Sequence, residues 1–281
     1  MNNVKTGILL IALTIILIWF GSIFGGARGA TIAFIFALVI NFVSYWYSDK
    51  IVLSIYKAQE IPEGRFYHLY NLVRELTQNA ELPMPRIYMI ENPSPNAFAT
   101  GRDPQHAALC VTKGLLELLN ENELKGVLAH ELAHVKNRDT LIMTVTAAIA
   151  GAIMMLASMA RWAAILGGGY GRQRRDSNNV ISLIAVSILA PIAALIVQLA
   201  ISRSREYAAD KHGAYFAKDS SGLAMALIKL KKATVLKPME ASPQTAHLFI
   251  VNPFRASFIT TLFSTHPPIE ERVRQLQSIK F

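Results

Sequence analysis

The sequence predicts a mainly α-helical integral membrane protein that has four transmembrane helices and an α+β soluble domain. The composition, the apolar runs and several short strand-like segments support this prediction. Hydrophobic residues make up 52% of the 281-residue chain and charged residues only 17%, and the mean hydropathy is +0.33. Because soluble domains have about 25% charged residues, this balance is typical of a membrane protein with a sizeable soluble portion.

Four apolar runs approach the roughly 20 residues that a helix needs to cross the hydrocarbon core. They cover residues 8–24, 30–47, 141–160 and 180–201. The first run exceeds the apolar core of a cleaved signal peptide, which is about 7–15 residues, and the second run follows at once. We therefore predict two membrane hairpins, an uncleaved one over residues 1–48 and a second one over residues 141–201.

The distribution of Lys and Arg predicts which side of the membrane holds the soluble parts. Two hairpins return the chain to its starting side, so the N-terminus, residues 49–140 and residues 202–281 lie together. The membrane flanks on that side contain Lys5, Lys50, Lys57, Lys136, Arg138, Arg203, Arg205 and Lys211. This bias favours a cytoplasmic soluble domain.

The loop between the third and fourth runs argues the other way, because it contains Arg161, Arg172, Arg174 and Arg175. Two interpretations remain open. Either this loop is tolerated on the far side, or the third and fourth runs do not both cross the membrane fully.

The soluble parts combine helical and strand-like patterns. Residues 62–80 have apolar side chains at helical spacing after a proline, and "PRIYMIE", "NAFAT" and "HAALCVT" predict short strands separated by turns. Asn120 and Glu123 predict a capping box that opens the helix containing "LKGVLAHELAHVKN". Three more helices are predicted in "SRSREYAADKHGAYFAK", "SGLAMALIKLKKA" and "STHPPIEERVRQLQSI", and a loop over residues 234–262.

The net charge and the cysteine content limit which partners and which cysteine-based sites the protein can have. The net charge of +9 suits contact with anionic lipid headgroups. Nucleic-acid binding would explain the same charge, but no basic run interleaved with aromatic residues supports it. The single cysteine, Cys110, excludes an internal disulfide framework and a cysteine-rich zinc cluster.

The stretch "HELAH", residues 130–134, has the spacing of a zinc site. On an α-helix, His130 and His134 are about 40° apart around the axis and one turn apart along it, so both imidazoles can converge on one ion. Glu131 lies beside them and can hold the attacking water without being a ligand. The competing explanation is a chance match, which has a probability on the order of 1% in a chain of this length.

A catalytic zinc ion needs a third protein ligand. The candidates are His68, His106, His212, His247, His266 and an acidic residue. In "SREYAAD", Glu206 and Asp210 share one helical face just after the fourth apolar run. A membrane hairpin that returns the chain to its starting side brings Glu206 back near His134. The alternative is an ion pair between Glu206 and Arg203 or Arg205.

These motifs resemble those of a known family. "HELAHVKNRD", "SREYAAD", "NAFATG" and "STHPPIEERV", in register with four apolar runs, resemble the HtpX membrane-bound zinc metalloproteases over nearly the whole chain. The similarity to the CAAX prenyl endoproteases is more distant. The resemblance implies a zincin-like (gluzincin) catalytic domain in a multipass protein of the bacterial cytoplasmic (inner) membrane, with the active site and both termini cytoplasmic. It also implies an endopeptidase for misfolded or damaged membrane proteins.

The resemblance further implies the ligands of the metal. One Zn²⁺ per chain would be bound by His130, His134 and Glu206, with Glu131 as the general base. Asp210 matches an acid that accepts an N–H from a ligand histidine and so fixes its ring.

Two more groups of residues match the family's patterns. His266 and Arg272 match a pair in which either side chain donates to the oxyanion on the substrate. The alternatives are that His266 is a polar residue next to a helix cap and that Arg272 belongs to a solvated helix face. An edge strand that binds an extended polypeptide by backbone pairing is matched by Asn96, Ala97, Phe98 and Ala99. An ordinary hairpin strand has the same pattern.

Two other functions remain open. An intramembrane-cleaving protease would need the motif inside a span, whereas the motif is surrounded by Lys125, Lys136, Asn137, Arg138 and Asp139. A non-catalytic zinc-dependent membrane scaffold is compatible with the same residues. The expected partners are polypeptide substrates, chiefly membrane proteins, and the lipid bilayer, with no nucleic acid. The oligomeric state cannot be derived from the sequence.

Overall fold

The structure is a computed structural model that describes residues 2–166, 203–236, 243–251 and 267–281. Its helices are α1 (Asn2–Ile55), α2 (Tyr67–Ala80), α3 (Lys113–Leu118), α4 (Glu121–Lys136), α5 (Asp139–Leu166), α6 (Arg203–Ala217), α7 (Ser221–Leu236) and α8 (Ile269–Gln277). Its strands are β1 (Gln59–Glu60), β2 (Arg86–Ile90), β3 (Ala97–Thr100) and β4 (Ala108–Thr112). The chain is thus mainly helical with a small sheet, as predicted.

α1 consists of two arms that contact each other. Gly26, between the arms, has φ 55° and ψ −142°, outside the helical region. Gly21 and Gly29 pack so closely that a Cβ on Gly21 would lie 2.5 Å from the Gly29 carbonyl oxygen. Further from the bend, Asn41 Nδ2 donates to Thr14 Oγ1 at 2.8 Å, which joins the arms by a polar bond. The first predicted hairpin corresponds to these two arms.

One helix in the described part of the chain, Gly26–Ile55, is long and apolar enough to cross a membrane. Two shorter apolar helices accompany it, Thr6–Trp19 and Asp139–Gly151. The fourth predicted run, residues 180–201, lies outside the described residues. Crossing by the other three runs therefore stays a prediction.

The strands form one sheet in the order β1-β2-β4-β3. β2 and β4 are parallel, whereas β1 and β3 are antiparallel to their neighbours. β3 lies at the edge and pairs Ala97 with Val111 and Ala99 with Leu109. The sequence predicted β2, β3 and β4. It did not predict β1, which is only two residues long and has no alternating pattern.

Both faces of the sheet are covered by helices. On one face, Ile87, Leu109 and Val111 belong to the larger core, together with α2 and α4. On the other face, Phe98 and Cys110 pack with the end of α1 and the start of α5. The sheet therefore lies between the histidine helix and the apolar helices. Because β3 is buried on both faces, "NAFAT" has no alternating polar pattern.

The prediction of a loop over residues 234–262 is wrong in part. α7 continues to Leu236, and Pro243–Leu248 forms a 3₁₀ helix. Phe249 is fully buried and packs edge-on against Tyr56 and Phe98, with ring centroids 5.1 and 5.3 Å away. Contacts with distant residues order this segment, and such contacts leave no periodicity in the local sequence.

Candidate metal centre

α4 crosses the larger hydrophobic core and contains both histidines of the motif. A capping box fixes its first turn: Asn120 Oδ1 accepts from the Glu123 N–H, and Glu123 Oε2 accepts from the Asn120 N–H, both at 3.0 Å. The predicted start of this helix is therefore present. Every residue from Val127 to Val135 is buried, so the motif is enclosed by protein.

α6 places two carboxylates beside α4. Glu206 and Asp210 are buried on one face of α6, and Gly213 follows on the same face. A Cβ on Gly213 would lie 2.9 Å from the His130 backbone nitrogen, so no side chain separates the helices at this point. This close approach allows both carboxylates to reach the imidazoles of α4.

Three ligand-type atoms converge between these helices. The Nε2 atoms of His130 and His134 are 3.2 Å apart. The Glu206 carboxylate lies 3.9 Å from the former nitrogen and 3.6 Å from the latter. Ligands of one tetrahedral zinc ion are about 3.3 Å from each other, so the spacing suits a shared ion. Within the described residues, no other trio of His, Cys, Asp or Glu is grouped in this way.

The outer ring nitrogens are bound by carboxylates. His130 Nδ1 lies 2.9 Å from Asp210 Oδ1, and His134 Nδ1 lies 3.2 Å from Asp139 Oδ2. Because a carboxylate only accepts, each Nδ1 atom donates its proton, and each ring presents the Nε2 lone pair inward once it has no proton on Nε2. The converging atoms are then all acceptors and need a cation between them. This donor set fits a divalent metal ion with nitrogen and oxygen ligands.

The two imidazoles differ in how they tolerate charge. Burial and the positive charge of Arg272 lower the pKa of His130 to about 4, so this ring is neutral. Burial also opposes a charge on His134, but its bond to Asp139 and the negative Glu206 and Glu131 raise its pKa to about 9. The cluster therefore stabilises a positive charge at His134, and a metal ion that binds there displaces a proton.

Glu131 is held by the edge strand. The Ala99 N–H donates to Glu131 Oε2 at 2.9 Å. Burial is the largest influence on Glu131 and raises its pKa to about 7, against an opposing effect of His134. A carboxyl group that titrates near neutrality can both take and return a proton, which general base catalysis requires.

Arg272 of α8 is fully buried, so the alternative of a solvated helix face is wrong. Its Nε and Nη2 donate to the two Asp210 oxygens at 2.9 and 2.7 Å. Its Nη1 lies 3.7 Å from Glu206 Oε2 and donates to the Ile250 carbonyl at 3.3 Å. Its Nη2 is 3.3 and 3.4 Å from the two His130 nitrogens, a position over the ring face. Arg272 thus holds the carboxylates in place.

Asp139 belongs to the site although the sequence did not assign it a role. Asp139 is the first residue of α5. It follows Arg138, whose φ of 56° is left-handed and changes the direction of the chain after α4. Arg205 Nε lies 3.6 Å from the second Asp139 oxygen. In the sequence, the acidic residue five positions after His134 was the feature that could have indicated this role. The left-handed turn that directs Asp139 back to the ring was not predictable, because a glycine usually marks such a turn and Arg138 occupies it here.

His266, the other predicted donor, lies outside the described residues.

At the N-terminal end of β3, the outward edge of the strand already has hydrogen bonds to other residues. The Ile250 N–H donates to the Ala97 carbonyl at 3.2 Å, and Asn96 Nδ2 donates to the Val251 carbonyl at 2.9 Å. The Ala99 N–H faces the same side, where it binds Glu131. By the alternation of an antiparallel strand, the Ala99 carbonyl also faces outward. Among the described residues, no main chain pairs with the part of the edge beside Glu131.

The residues of this centre lie within the range that a known family model matches. The model of Peptidase family M48 matches residues 64–280, which include every residue of the centre. This chain belongs to peptidase family M48. The family assignment makes the protein a metalloprotease, in agreement with the geometry of the buried His-His-Glu cluster.

Relatives of this M48 peptidase match it over almost its full length. The "Protease HtpX homolog" of Syntrophobacter fumaroxidans is 54% identical over 280 residues and covers 99% of each chain. That of Thermococcus kodakarensis is 54% identical over 98% of this chain and 95% of its own. Among solved structures, S. mikatae Ste24p aligns with 98% of this chain and 65% of its own, at 16% identity and a TM-score of 0.49. The resemblance to the HtpX membrane-bound metalloproteases is confirmed by the sequence relatives.

Proposed function

We propose that this M48 peptidase is a zinc endopeptidase that hydrolyses misfolded or damaged membrane proteins at the cytoplasmic face of the bacterial cytoplasmic membrane. One observation carries the catalytic assignment: the Nε2 atoms of His130 and His134 and the Glu206 carboxylate converge on one point beside the buried Glu131. These three residues would hold one Zn²⁺ per chain.

Each residue of the centre has a task in the proposed reaction. A bound zinc ion supplies Lewis acidity toward water and a peptide carbonyl. Glu131 takes the proton of the attacking water and passes it to the leaving amine. Asp210 and Asp139 keep the imidazoles oriented. Arg272 holds Glu206 and Asp210, and together with His266 it is a candidate donor to the oxyanion of the substrate.

The substrate is proposed to bind as an extended strand along the free edge of β3. Backbone pairing with Ala99 places a peptide bond beside Glu131. Within the proposed binding segment 96–99, the outward carbonyl of Ala99 would accept from the polypeptide backbone, so recognition would involve the backbone and not the side chains. Tolerance of many sequences follows, which suits an enzyme that removes damaged proteins.

The catalytic role of Glu131 is tested with purified full-length protein in detergent and casein as the substrate. Glu131→Gln is expected to keep one zinc ion per chain and to lose activity by about 10²–10⁴-fold. Glu117→Gln, at an exposed position, is the matched control and is expected to keep full activity. A chelator is expected to stop hydrolysis by the wild type, and added zinc to restore it.

Other outcomes separate the competing functions. A scaffold predicts no hydrolysis by the wild type under any metal condition. A strictly intramembrane protease predicts cleavage of a membrane-embedded substrate but not of casein. Full activity of zinc-loaded Glu131→Gln would show that another group is the base.

The proposed orientation is tested by thiol labelling in intact cells. The native Cys110 is buried, so it does not interfere with introduced cysteines. Cysteine at position 91, an exposed residue of the soluble domain, is expected to react only with a reagent that enters the cytoplasm. Cysteine at position 174 is expected to react from outside. Reaction of position 91 from outside would reverse the orientation.

A further inference from the structure

A cavity of about 640 Å³ lies where the long arm of α1 meets the soluble domain. It is lined by Trp46, Tyr47 and Lys50 of α1, by Arg86 of β2 and by Arg102 of the loop that joins β3 to β4. None of the residues of the metal centre lines it. The cavity is therefore a separate site with its own chemistry.

The position of the cavity along α1 matches the depth of lipid headgroups. From Gly26 to Trp46 the helix rises about 30 Å, which equals the thickness of the hydrocarbon core. Trp46 and Tyr47 are about half exposed, and aromatic residues of this kind mark the membrane–water interface. The next turn contains Lys50. The cavity thus lies beside the layer in which phosphate groups are found.

Arg86 forms a neutral wall of the cavity. Its Nη2 lies 3.1 Å from Asp49, which is 7% exposed, and its Nη1 donates to the Tyr88 hydroxyl at 3.2 Å. These bonds fix the guanidinium and balance its charge. Arg86 therefore shapes the cavity but adds little positive charge to it.

Two other cations have charge to offer to an anion. Arg102 lies over the Trp46 ring, 4.9 Å from its centroid, and its nearest carboxylate is Asp103, 3.5 Å from Nε. Asp103 is bound more closely by His106, at 2.6 Å. Lys50 lies over the Tyr47 ring at 5.3 Å, and the described part of the chain gives it no ion pair. Both cations lie over aromatic rings. Arg102 shares its carboxylate partner with His106, and Lys50 has no carboxylate partner among the described residues.

We propose that this cavity binds the headgroup of an anionic phospholipid. The phosphate faces Arg102 and Lys50, and the acyl chains run along the exposed rings of Phe42 and Trp46. A zwitterionic lipid fits less well, because its own ammonium group would face two protein cations. A free phosphate ion lacks the apolar contact with α1.

A short segment of the chain connects the lipid site to the active centre. Arg102 follows Gly101, whose φ of +130° and close approach to the His106 carbonyl make the loop compact. Two residues before Gly101, the Ala99 N–H holds Glu131. A lipid that fixes Arg102 therefore also steadies β3. The proposal requires a membrane-bound chain but does not depend on the peptidase reaction.

The experiment measures binding to the full-length protein in an uncharged detergent. Dihexanoyl phosphatidylglycerol, dihexanoyl phosphatidylcholine and inorganic phosphate are titrated separately, and the thermal unfolding midpoint is recorded. We expect phosphatidylglycerol to raise the midpoint to a plateau, and the other two probes to leave it unchanged. Arg102→Gln and Lys50→Gln are each expected to raise the half-saturating concentration about tenfold, by loss of one charge-assisted contact. Lys232→Gln, which removes an exposed charge from α7, is the matched control.

Three results would overturn the proposal. An equal shift with phosphatidylcholine would show that the negative charge is irrelevant. An equal shift with inorganic phosphate would show an anion site that needs no lipid. An unchanged half-saturating concentration in Lys50→Gln would place the bound lipid elsewhere. Lys50 is exposed, and its ammonium group lies over the Tyr47 ring, so its replacement is expected to leave the fold intact and this variant decides even if Arg102→Gln does not fold.

Discussion

Gly213 in α6 lies directly against the backbone of His130 in α4. The contact sets the distance between the two helices that contain the predicted metal ligands. It allows Asp210 Oδ1 to lie 2.9 Å from His130 Nδ1 and the Glu206 carboxylate to lie 3.6 Å from His134 Nε2. The metal centre therefore depends on a residue that has no side chain and no chemistry of its own.

Gly213→Ala is expected to weaken zinc binding and stability together. The new Cβ would lie about 3 Å from helix backbone atoms that cannot turn aside, and overpacking of this kind costs about 1–3 kcal/mol. The separation of the helices would also move Glu206 away from the histidines. Zinc affinity measured by chelator competition and the thermal midpoint should both fall. Gly64→Ala is the control, because a Cβ there meets no atom within 4 Å.

Glu206→Gln is expected to remove most of the bound zinc. The amide keeps the shape of the side chain but removes the negative charge from a ligand set of two neutral imidazoles. Metal analysis of the purified variant should give well below one zinc ion per chain, and casein hydrolysis should fall with it. One ion per chain at unchanged affinity would exclude Glu206 as a ligand. Glu117→Gln again controls for the loss of a surface charge.

Asp139→Asn tests the residue that only the structure identified. A neutral amide at this position supports the His134 ring less well, and loss of such a partner typically weakens metal binding by about 10–100-fold. Asp210→Asn should have a similar effect through His130. Because the two carboxylates act on different rings, the losses in the double variant should multiply. A change of less than twofold in zinc affinity for Asp139→Asn would contradict its role.

Strand pairing at β3 is tested with a cleavable peptide that is N-methylated at one backbone position at a time. Methylation of the amide that donates to the Ala99 carbonyl should raise KM about tenfold, because one backbone hydrogen bond and its geometry are lost. Methylation of the neighbouring amide, which points away from the strand, is the control. Side-chain changes at the same positions should have smaller effects. Equal effects at every position would argue against an extended strand.

The sequence predicted those features that depend only on residues close to each other in the chain. The spacing of His130 and His134 fixes a shared helix face, and Asn120 with Glu123 fixes the start of α4. The apolar runs indicated membrane helices, and Gly26–Ile55 has the required length and composition. Residues 167–202 and His266 lie outside the described structure, so the fourth run and the predicted oxyanion donor stay predictions.

The sequence by itself determined which groups the centre contains, namely two imidazoles, a neighbouring glutamate and a carboxylate on a second helix. Only the tertiary structure decided which groups support them: Asp139 on His134, the buried Arg272 on Asp210, and Ile250 on the edge of β3. Local periodicity reports which face of a helix is buried but not which distant residue meets it. These contacts between distant residues depend on left-handed turns, close helix packing and burial, which are properties of the folded chain as a whole.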